Sequence, residues 1–385
     1  MSRLDRALNV RELRELARRR LPSPLFHYID GGSDDESNVL GNVSAFDAGK
    51  LVPEYLVDVS EIDLRTTVFG KDIAMPLFCS PTGMARFFHH EGERAVARAA
   101  AGAGTFYSLS TLGATTIEDV GAETDGPKCF QIYVMKDRGL TREFIQRCKD
   151  ANFDALALTV DVPVPSNRER EIRYGFNMPP RLTPASIAGF LRKPGWLWRY
   201  LTTPTPILAN VAHKIDQGSA DASSLIDYVG AQFDPSVSWQ DMEWMIAEWG
   251  GPFAIKGILS ARDARRAVDI GASAVMVSNH GGRQLDGALS VFEALGPIAD
   301  EVGGECDIIC DGGIRRGTHV LKALARGATA CSMGRPYLWG LAAGGEAGVS
   351  HALALLRLEI ERGLGLLGCR SVGEIGNRHL KMMGR

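Results

Sequence analysis

The stretch Ser278-Asn279-His280-Gly281-Gly282-Arg283 sets an imidazole and a guanidinium three residues apart, with two glycines between them. An imidazole titrates near neutral pH and can accept a proton, while arginine offers a planar fork of donors to an anion. The pair describes a base beside an anion site. Two further stretches, DGGIRRG (311–317) and MGRP (333–336), follow apolar runs and combine glycines with Arg315 or Arg335. Free N–H groups at a helix start, the helix dipole and guanidinium donors together make a phosphate cradle. One such turn is weak evidence; two in successive units point to a phosphate-bearing cofactor.

Positioning these groups requires a regular scaffold. From residue 73 onward, eight short apolar runs rich in β-branched and aromatic residues (73–80, 104–110, 129–135, 155–161, 253–257, 274–279, 307–311 and 329–333) alternate with amphipathic helical patterns. In one of these, Ala261, Ala264, Ala267 and Val268 share a face. Such alternation marks βαβ units. Eight of them predict an α/β fold of the (β/α)8 TIM-barrel type, whose chemistry sits at the C-terminal ends of the strands. The expected organisation is one domain, 1–385: an N-terminal helical segment (1–72), the barrel (73–346), a long insertion after strand four (162–238) and C-terminal helices (347–385). Residues 1–72 hold two helical patterns and an extended stretch, expected to plug the barrel's bottom or flank its mouth.

The strand ends form a polar list: Pro81, Thr82 and Gly83; Ser110; Gln131 and Tyr133; Thr159 and Asp161; Lys256; Ser278, Asn279 and His280; Asp311; Gly334 and Arg335. Residues two apart on a strand share a face, so Gln131 with Tyr133 and Thr159 with Asp161 point the same way. Asp161 can hold the His280 imidazole in one tautomer. Lys256 is read as a cation for charge developing on a cofactor, in preference to a buried lysine paired with a carboxylate. Arg168, in the sequence RERE, fits either a substrate contact or a solvated charge.

Composition narrows the classes. A net charge of −3 over 385 residues lacks the basic footprint of a nucleic-acid binder. Glycine is abundant, 43 residues or about 11% against a usual value near 7%, which calls for many special backbone positions. Seven cysteines (79, 129, 148, 306, 310, 331 and 369) form no CxxC and read as reduced core residues, not as disulfides or a metal site. The first 24 residues read as a charged amphipathic helix without a signal-peptide core, and no run of 18 apolar residues occurs. A cytoplasmic setting is expected. Within the insertion, 181–214 carries Arg181, Arg192, Lys193, Arg199 and Lys214 and no acidic residue, interleaved with Phe190, Trp196, Trp198 and Tyr200. That composition fits an interfacial membrane segment. A disordered or self-packed lid whose tryptophans are simply buried fits it equally well.

These residues resemble the FMN-dependent 2-hydroxy acid oxidoreductases, the family of glycolate oxidase, flavin-type L-lactate dehydrogenase and mandelate dehydrogenase. The resemblance runs from LPSPLFHYIDGGSDDE (21–36) through MPLFCSPTGM, LSTLGAT, FQIYV, LTVDVP, FAIKGI, VSNHGGRQLDG and DGGIRRGTHV to MGRPYLWGLAAGGEAGV (333–349). It implies FMN as cofactor and no metal. His280 would be the base and Asp161 its partner; Arg283, Arg168 and the Tyr28 hydroxyl would bind the substrate carboxylate, and Tyr133 would face the substrate hydroxyl. Lys256 would sit near flavin N1 and O2. Pro81, Thr82, Gly83, Ser110, Gln131, Thr159 and Ser278 belong with the flavin ring region. Asp311 would contact the ribityl chain, and Gly312, Gly313, Arg315, Gly334 and Arg335 the phosphate.

Gly83 stands where the family's oxidases often carry alanine, which resembles the quinone-using dehydrogenase branch. Leu112 stands where glycolate oxidases carry tryptophan, so glycolate is disfavoured. The expected reaction is oxidation of an (S)-2-hydroxy acid, L-lactate foremost, to the 2-oxo acid with electrons passed to a quinone. The alternatives are an (S)-mandelate dehydrogenase and an oxygen-using oxidase that releases peroxide. From other classes come a flavin-free phosphate-binding barrel and a non-catalytic membrane-docking protein. The resemblance also implies a homo-oligomer, a tetramer, with peripheral contact at the inner face of the cytoplasmic membrane.

Overall fold

The computed structural model describes residues 3–175, 184–214 and 232–383, with the side chains of 184–186 left aside. Eight parallel strands close into a barrel: β1 (Leu77–Thr82), β2 (Tyr107–Ser110), β3 (Lys128–Tyr133), β4 (Ala155–Thr159), β5 (Phe253–Ile258), β6 (Ala274–Val277), β7 (Asp307–Asp311) and β8 (Ala330–Met333). Closure is made by β8 against β1, with Cys331, Ser332 and Met333 opposite Leu77, Phe78 and Cys79. The eight expected runs all supply strands; the run 307–311 is matched in full, and the bounds of the others shift by one to four residues. In one, 73–80, Ile73 belongs instead to a hairpin of Thr66–Val68 and Lys71–Ile73, and the barrel strand begins at Leu77. Continuous apolar character across 73–80 concealed that break.

Barrel strands are buried on both faces, which explains their unbroken apolar character. At the bottom, Val68, Phe69 and Ile73 of the hairpin pack on Phe78, Phe106, Ala155, Ala274 and Ile309 inside the barrel. The Phe69 N–H also donates to Asp307 at the foot of β7, 2.7 Å. The N-terminal segment therefore plugs the bottom and, as described below, also flanks the mouth.

That segment holds three helices where two were expected: α1 (Val10–Arg20), α2 (Ser23–Asp30) and α3 (Ser37–Ser44). Val10, Leu13 and Ala17 form the buried stripe of α1, and Asn9 caps its start through the Glu12 N–H. Arg14 of α1 grips Asp30 of α2 through two bonds of 2.6 and 2.7 Å. α3, in SNVLGNVS, has little apolar periodicity and was not legible from sequence. Its job is polar: Asn42 and Asn279 exchange amide bonds of 2.7 and 2.9 Å, fixing the loop after β6.

Around the barrel lie α4 (Gly92–Gly102), α5 (Ile117–Glu123), α6 (Arg138–Asp150), α10 (Trp239–Trp249), α11 (Ala261–Asp269), α12 (Val291–Val302), α13 (Gly317–Ala325) and α14 (Arg335–Gly344). Ala264 and Ala267 are the buried residues of α11, as its periodicity required. The C-terminal region is one long helix, α15 (Glu346–Leu367), followed by 3-10 turns and a strand, Leu380–Met382, that pairs with Gly49–Leu51. Within the insertion are α7 (Glu169–Tyr174), α8 (Pro184–Leu191) and α9 (Pro194–Thr202); Arg181 lies outside the described residues. Phe190 and Trp196 pack against the protein body, the Trp196 indole donating to Phe87 O at 2.9 Å and stacking on Tyr200, whereas Trp198 is 70% exposed. The aromatic residues thus divide between the two readings.

All seven cysteines are free; six are buried and Cys306 is half-buried. Burial pushes the thiols of Cys129 and Cys306 up, to about 12 and about 11, so neither is a thiolate near neutral pH. Among the described residues no helix is long and apolar enough to cross a membrane.

Candidate active site

At the C-terminal ends of the strands lies a cleft of about 170 Å³. Of the expected site residues, Tyr28, Pro81, Thr82, Gly83, Ser110, Tyr133, Arg168, Lys256, His280, Arg283, Asp311, Gly312, Gly313, Arg315, Gly334 and Arg335 line it. The other four adjoin that lining. Gln131 accepts from Ser110 Oγ at 2.7 Å, Asp161 bonds His280, Ser278 touches both Lys256 and Asp311, and Thr159 is the strand neighbour of Lys256.

His280 follows β6 in the left-handed region, φ +57°, ahead of Gly281 and Gly282, which also have positive φ. A histidine there is uncommon, and the surroundings fix it. Its backbone N–H donates to Ser278 Oγ at 3.1 Å, and Ser33 of the N-terminal segment bonds Gly282 O at 3.0 Å. Nδ1 lies 2.8 Å from Asp161 Oδ1. With the ring neutral, that contact places the proton on Nδ1 and leaves Nε2 as the basic nitrogen. Burial lowers the His280 pKa from its ordinary value, assisted by the Lys256 charge and opposed by Asp161. Burial would raise Asp161, but His280 and Lys256 hold it below the usual carboxylate range.

Lys256 is buried and paired with Asp311 at 3.1 Å, so the carboxylate-paired lysine is what the structure holds, not the unpaired cation expected from sequence. A strand-end lysine can evidently be paired and still line the cleft. Burial opposes its charge, but Asp311 and Asp161 outweigh burial and raise its pKa. Asp311 is a hub: Oδ1 accepts from Ser80 and Ser332 at 2.7 and 2.6 Å, and Oδ2 accepts from Ser278 at 2.7 Å in addition to Lys256. Burial would lift this carboxyl, yet Lys256 and the three hydroxyls bring it to about 2. Ser80 and Ser332 were missed by sequence reasoning, because small hydroxyls on apolar strands carry no spacing signal.

Arg283 lies 4.7 Å over the Tyr28 ring, donates to Tyr28 O and Gly31 O at 2.6 and 3.2 Å, and meets Glu171 at 2.7 Å. Glu171 sits on α7, three residues beyond Arg168, whose guanidinium reaches it at 3.6 Å. Its signal was present in RERE as an i,i+3 pair. One carboxylate thus faces two guanidiniums. Burial and repulsion from Arg283 lower the Arg168 pKa, whereas Glu171 overcomes burial to raise that of Arg283. The surplus positive charge suits a monocarboxylate. Burial also pushes the Tyr133 phenol up to about 12, keeping it a neutral donor.

The sequence profile of the FMN-dependent dehydrogenases matches residues 17–382. The chain belongs to this family. It is 41% identical to an L-lactate oxidase of Nostoc over 99% of this chain and 100% of the relative. To an L-lactate dehydrogenase of Pseudomonas aeruginosa it is 42% identical over 94% of this chain and 95% of the other. The crystal structure of the monotopic membrane protein (S)-mandelate dehydrogenase superposes with a TM-score of 0.94 at 35% identity, covering 98% of this chain and 100% of that one. The (β/α)8 barrel is therefore that of the FMN-dependent dehydrogenases. The chain is an FMN-dependent oxidoreductase acting on 2-hydroxy acids.

The cleft fits the flavin of these dehydrogenases on three counts. Gln131 Nε2 and Thr159 Oγ1 are buried and lack a partner among the described residues, a costly state that the polar edge of a bound ring can relieve. Arg315 and Arg335 line the cleft, and no ion-pair contact reaches either among the described residues. Burial lowers them to about 10 and about 9, with mutual repulsion adding to the effect on Arg335. A phosphate dianion would supply the missing charge. Arg335 also donates to Ile29 O, Gly281 O and Gly31 O at 2.7 to 2.9 Å, so it ties α2 to the His280 loop as well. Gly313 has φ +74°, and a Cβ there would stand 2.0 Å from Asn42 O, so only glycine fits this turn.

Proposed function

We propose that the chain oxidises an (S)-2-hydroxy acid, L-lactate foremost, to the 2-oxo acid and passes the electrons to a quinone. The observation that carries this reading is the Arg168–Arg283–Glu171 cluster beside a neutral, Asp161-oriented His280. Bound FMN would accept the two electrons of the oxidation and the second of the two hydrogens the substrate loses. Arg168, Arg283 and the Tyr28 hydroxyl hold the substrate carboxylate, and such positioning can supply several kcal/mol of the barrier. Tyr133, a neutral phenol, donates to the substrate hydroxyl. His280 Nε2 takes a proton from the substrate, and Asp161 stabilises the resulting imidazolium. Lys256 would keep a positive charge beside bound FMN, and Arg315 and Arg335 would hold its phosphate.

The base works in its neutral form, so a lowered pKa extends activity toward acid pH. The rate of flavin reduction is expected to rise with pH through a pKa below 6.5 and stay level above it. Stopped-flow reduction measured across pH tests this; a midpoint above 6.5 contradicts it.

Leu112 borders the cleft next to Gly83 and supports lactate over glycolate. The likeness to (S)-mandelate dehydrogenase favours an aryl side chain as a second reading. Reducing the enzyme anaerobically with L-lactate, (S)-mandelate and glycolate, then mixing it with a quinone or with oxygen, separates these readings; fastest turnover with oxygen refutes the dehydrogenase assignment. Gly83 bears on the acceptor. A Cβ there would stand 3.0 Å from Leu112 Cβ and 3.1 Å from its carbonyl oxygen, so alanine requires Leu112 to give way slightly. Gly83→Ala is expected to shift reoxidation toward oxygen, and an unchanged quinone-to-oxygen rate ratio counts against this role.

Peripheral contact with an anionic bilayer forms part of the proposal. Trp198 and Leu201, i and i+3 on α9, are 70% and 71% exposed, and Leu191 at the end of α8 is also exposed. Arg192 and Arg199 accompany them, the pairing of apolar and basic groups that an interface favours. Replacing Leu191, Trp198 and Leu201 by serine is expected to abolish flotation with phosphatidylglycerol vesicles; flotation equal to wild type refutes the contact.

A further inference from the structure

A second cavity, of about 390 Å³, shares no lining residue with the active-site cleft. It lies where the end of α1, the loop after β1 and the start of α9 meet. Arg19, Arg20, Arg86, Arg192, Lys193 and Arg199 line it, and no aspartate or glutamate does.

The cations are unevenly occupied. Arg86 donates to Pro204 O at 2.8 Å, Lys193 to Arg19 O at 2.5 Å, and Arg199 to the His89 ring at 3.1 Å. The side chains of Arg19, Arg20 and Arg192 have no acceptor among the described residues. His89 lines the same space with its side chain 9% exposed, and its Nδ1 lacks a hydrogen-bond partner. Glu91 stands 3.6 Å from that nitrogen, outside the lining, and is bonded to Arg98 at 2.7 Å. Burial and repulsion from Arg199 and Arg3 lower the Arg20 pKa, and burial with neighbouring His90, Arg199 and Arg20 brings His89 down to about 4. The imidazole is therefore a neutral polar group among crowded cations.

Like charges gathered in a concavity without counter-charge repel one another and focus a positive potential that an anion relieves. Guanidinium groups match phosphate oxygens in geometry. One wall is apolar: Phe88 is buried, and Trp196 is stacked on Tyr200 with ring centroids 5.1 Å apart. An organic group attached to the phosphate can rest there.

We infer that this cavity binds the phosphate group of a phosphate ester, at a site separate from that for FMN. The same chemistry is offered by a phospholipid headgroup and by a soluble phosphate ester. The experiment uses the full-length holoenzyme, titrated in one arm with glycerol 3-phosphate and in the other with phosphatidylglycerol vesicles. The variant Arg19→Gln/Arg20→Gln removes two cavity cations whose side chains have no acceptor among the described residues and which take no part in the bilayer contact, and Arg262→Gln/Arg357→Gln removes two charges outside the cavity. In whichever arm binds, the cavity variant is expected to bind about tenfold more weakly or worse, and the control less than about threefold more weakly. Oxidation measured with a soluble dye acceptor stays unchanged in both. Binding of glycerol 3-phosphate identifies a soluble ligand; binding of vesicles alone, weakened in the cavity variant and not in the control, identifies a lipid. No binding in either arm, or equal losses in the two variants, overturns the site. Should the double variant fold poorly, Arg20→Gln alone carries the same comparison.

Discussion

Replacing His280 with alanine is expected to leave a protein that still binds FMN but reduces it about 10²–10⁴-fold more slowly with a 2-hydroxy acid, the range for losing a positioned general base. The phosphate and ring contacts assigned to Gln131, Thr159, Arg315 and Arg335 do not involve the imidazole, so flavin content should hold. Backbone conformation adds a refinement. At φ +57°, asparagine is tolerated better than alanine, and its amide can still donate to Asp161. His280→Asn should therefore match the alanine variant in lost reduction while keeping near-wild-type stability. Reduction at wild-type speed by either variant removes His280 from the mechanism.

Arg283→Lys is expected to lower kcat/KM about 10²-fold, chiefly through KM, with the positive charge retained. The guanidinium reaches two backbone carbonyls and Glu171 at once while lying over the Tyr28 ring. A lysine cannot keep that fork and also meet a substrate carboxylate. Two charge-assisted bonds lost at about 1.5 kcal/mol each correspond to about a hundredfold. Keeping a cation opposite Glu171 avoids leaving a buried carboxylate alone, so the fold should survive. Steady-state kinetics with L-lactate checks the split; a fall in kcat with KM unchanged argues that Arg283 does not bind the carboxylate.

The barrel was legible because each strand is a short, largely apolar run that alternates with helical stretches, a local pattern. The site was legible where residues sit at fixed strand ends, as with His280, Lys256 and Asp311. What stayed hidden was carried by distant or patternless contacts. The Asn42–Asn279 amide pair joins residues 237 apart and depends on a helix, α3, with no clear apolar stripe. Arg335 meets carbonyls of Ile29 and Gly31 across more than 300 positions. Glu171 lay in plain view in RERE, but only packing α7 against α2 turns it toward Arg283. The pairing of Lys256 with Asp311 crosses from β5 to β7, a neighbourhood that barrel closure creates and spacing cannot rank.

The central claim is that this cleft uses bound FMN to oxidise an (S)-2-hydroxy acid. Anaerobic mixing of the holoenzyme with L-lactate or D-lactate, followed through the flavin absorbance, tests it most directly. Complete bleaching with L-lactate, with pyruvate formed in equimolar amount to FMN and no bleaching with D-lactate, is the result expected. A flavin that stays oxidised with L-lactate, (S)-mandelate and glycolate alike would contradict the account.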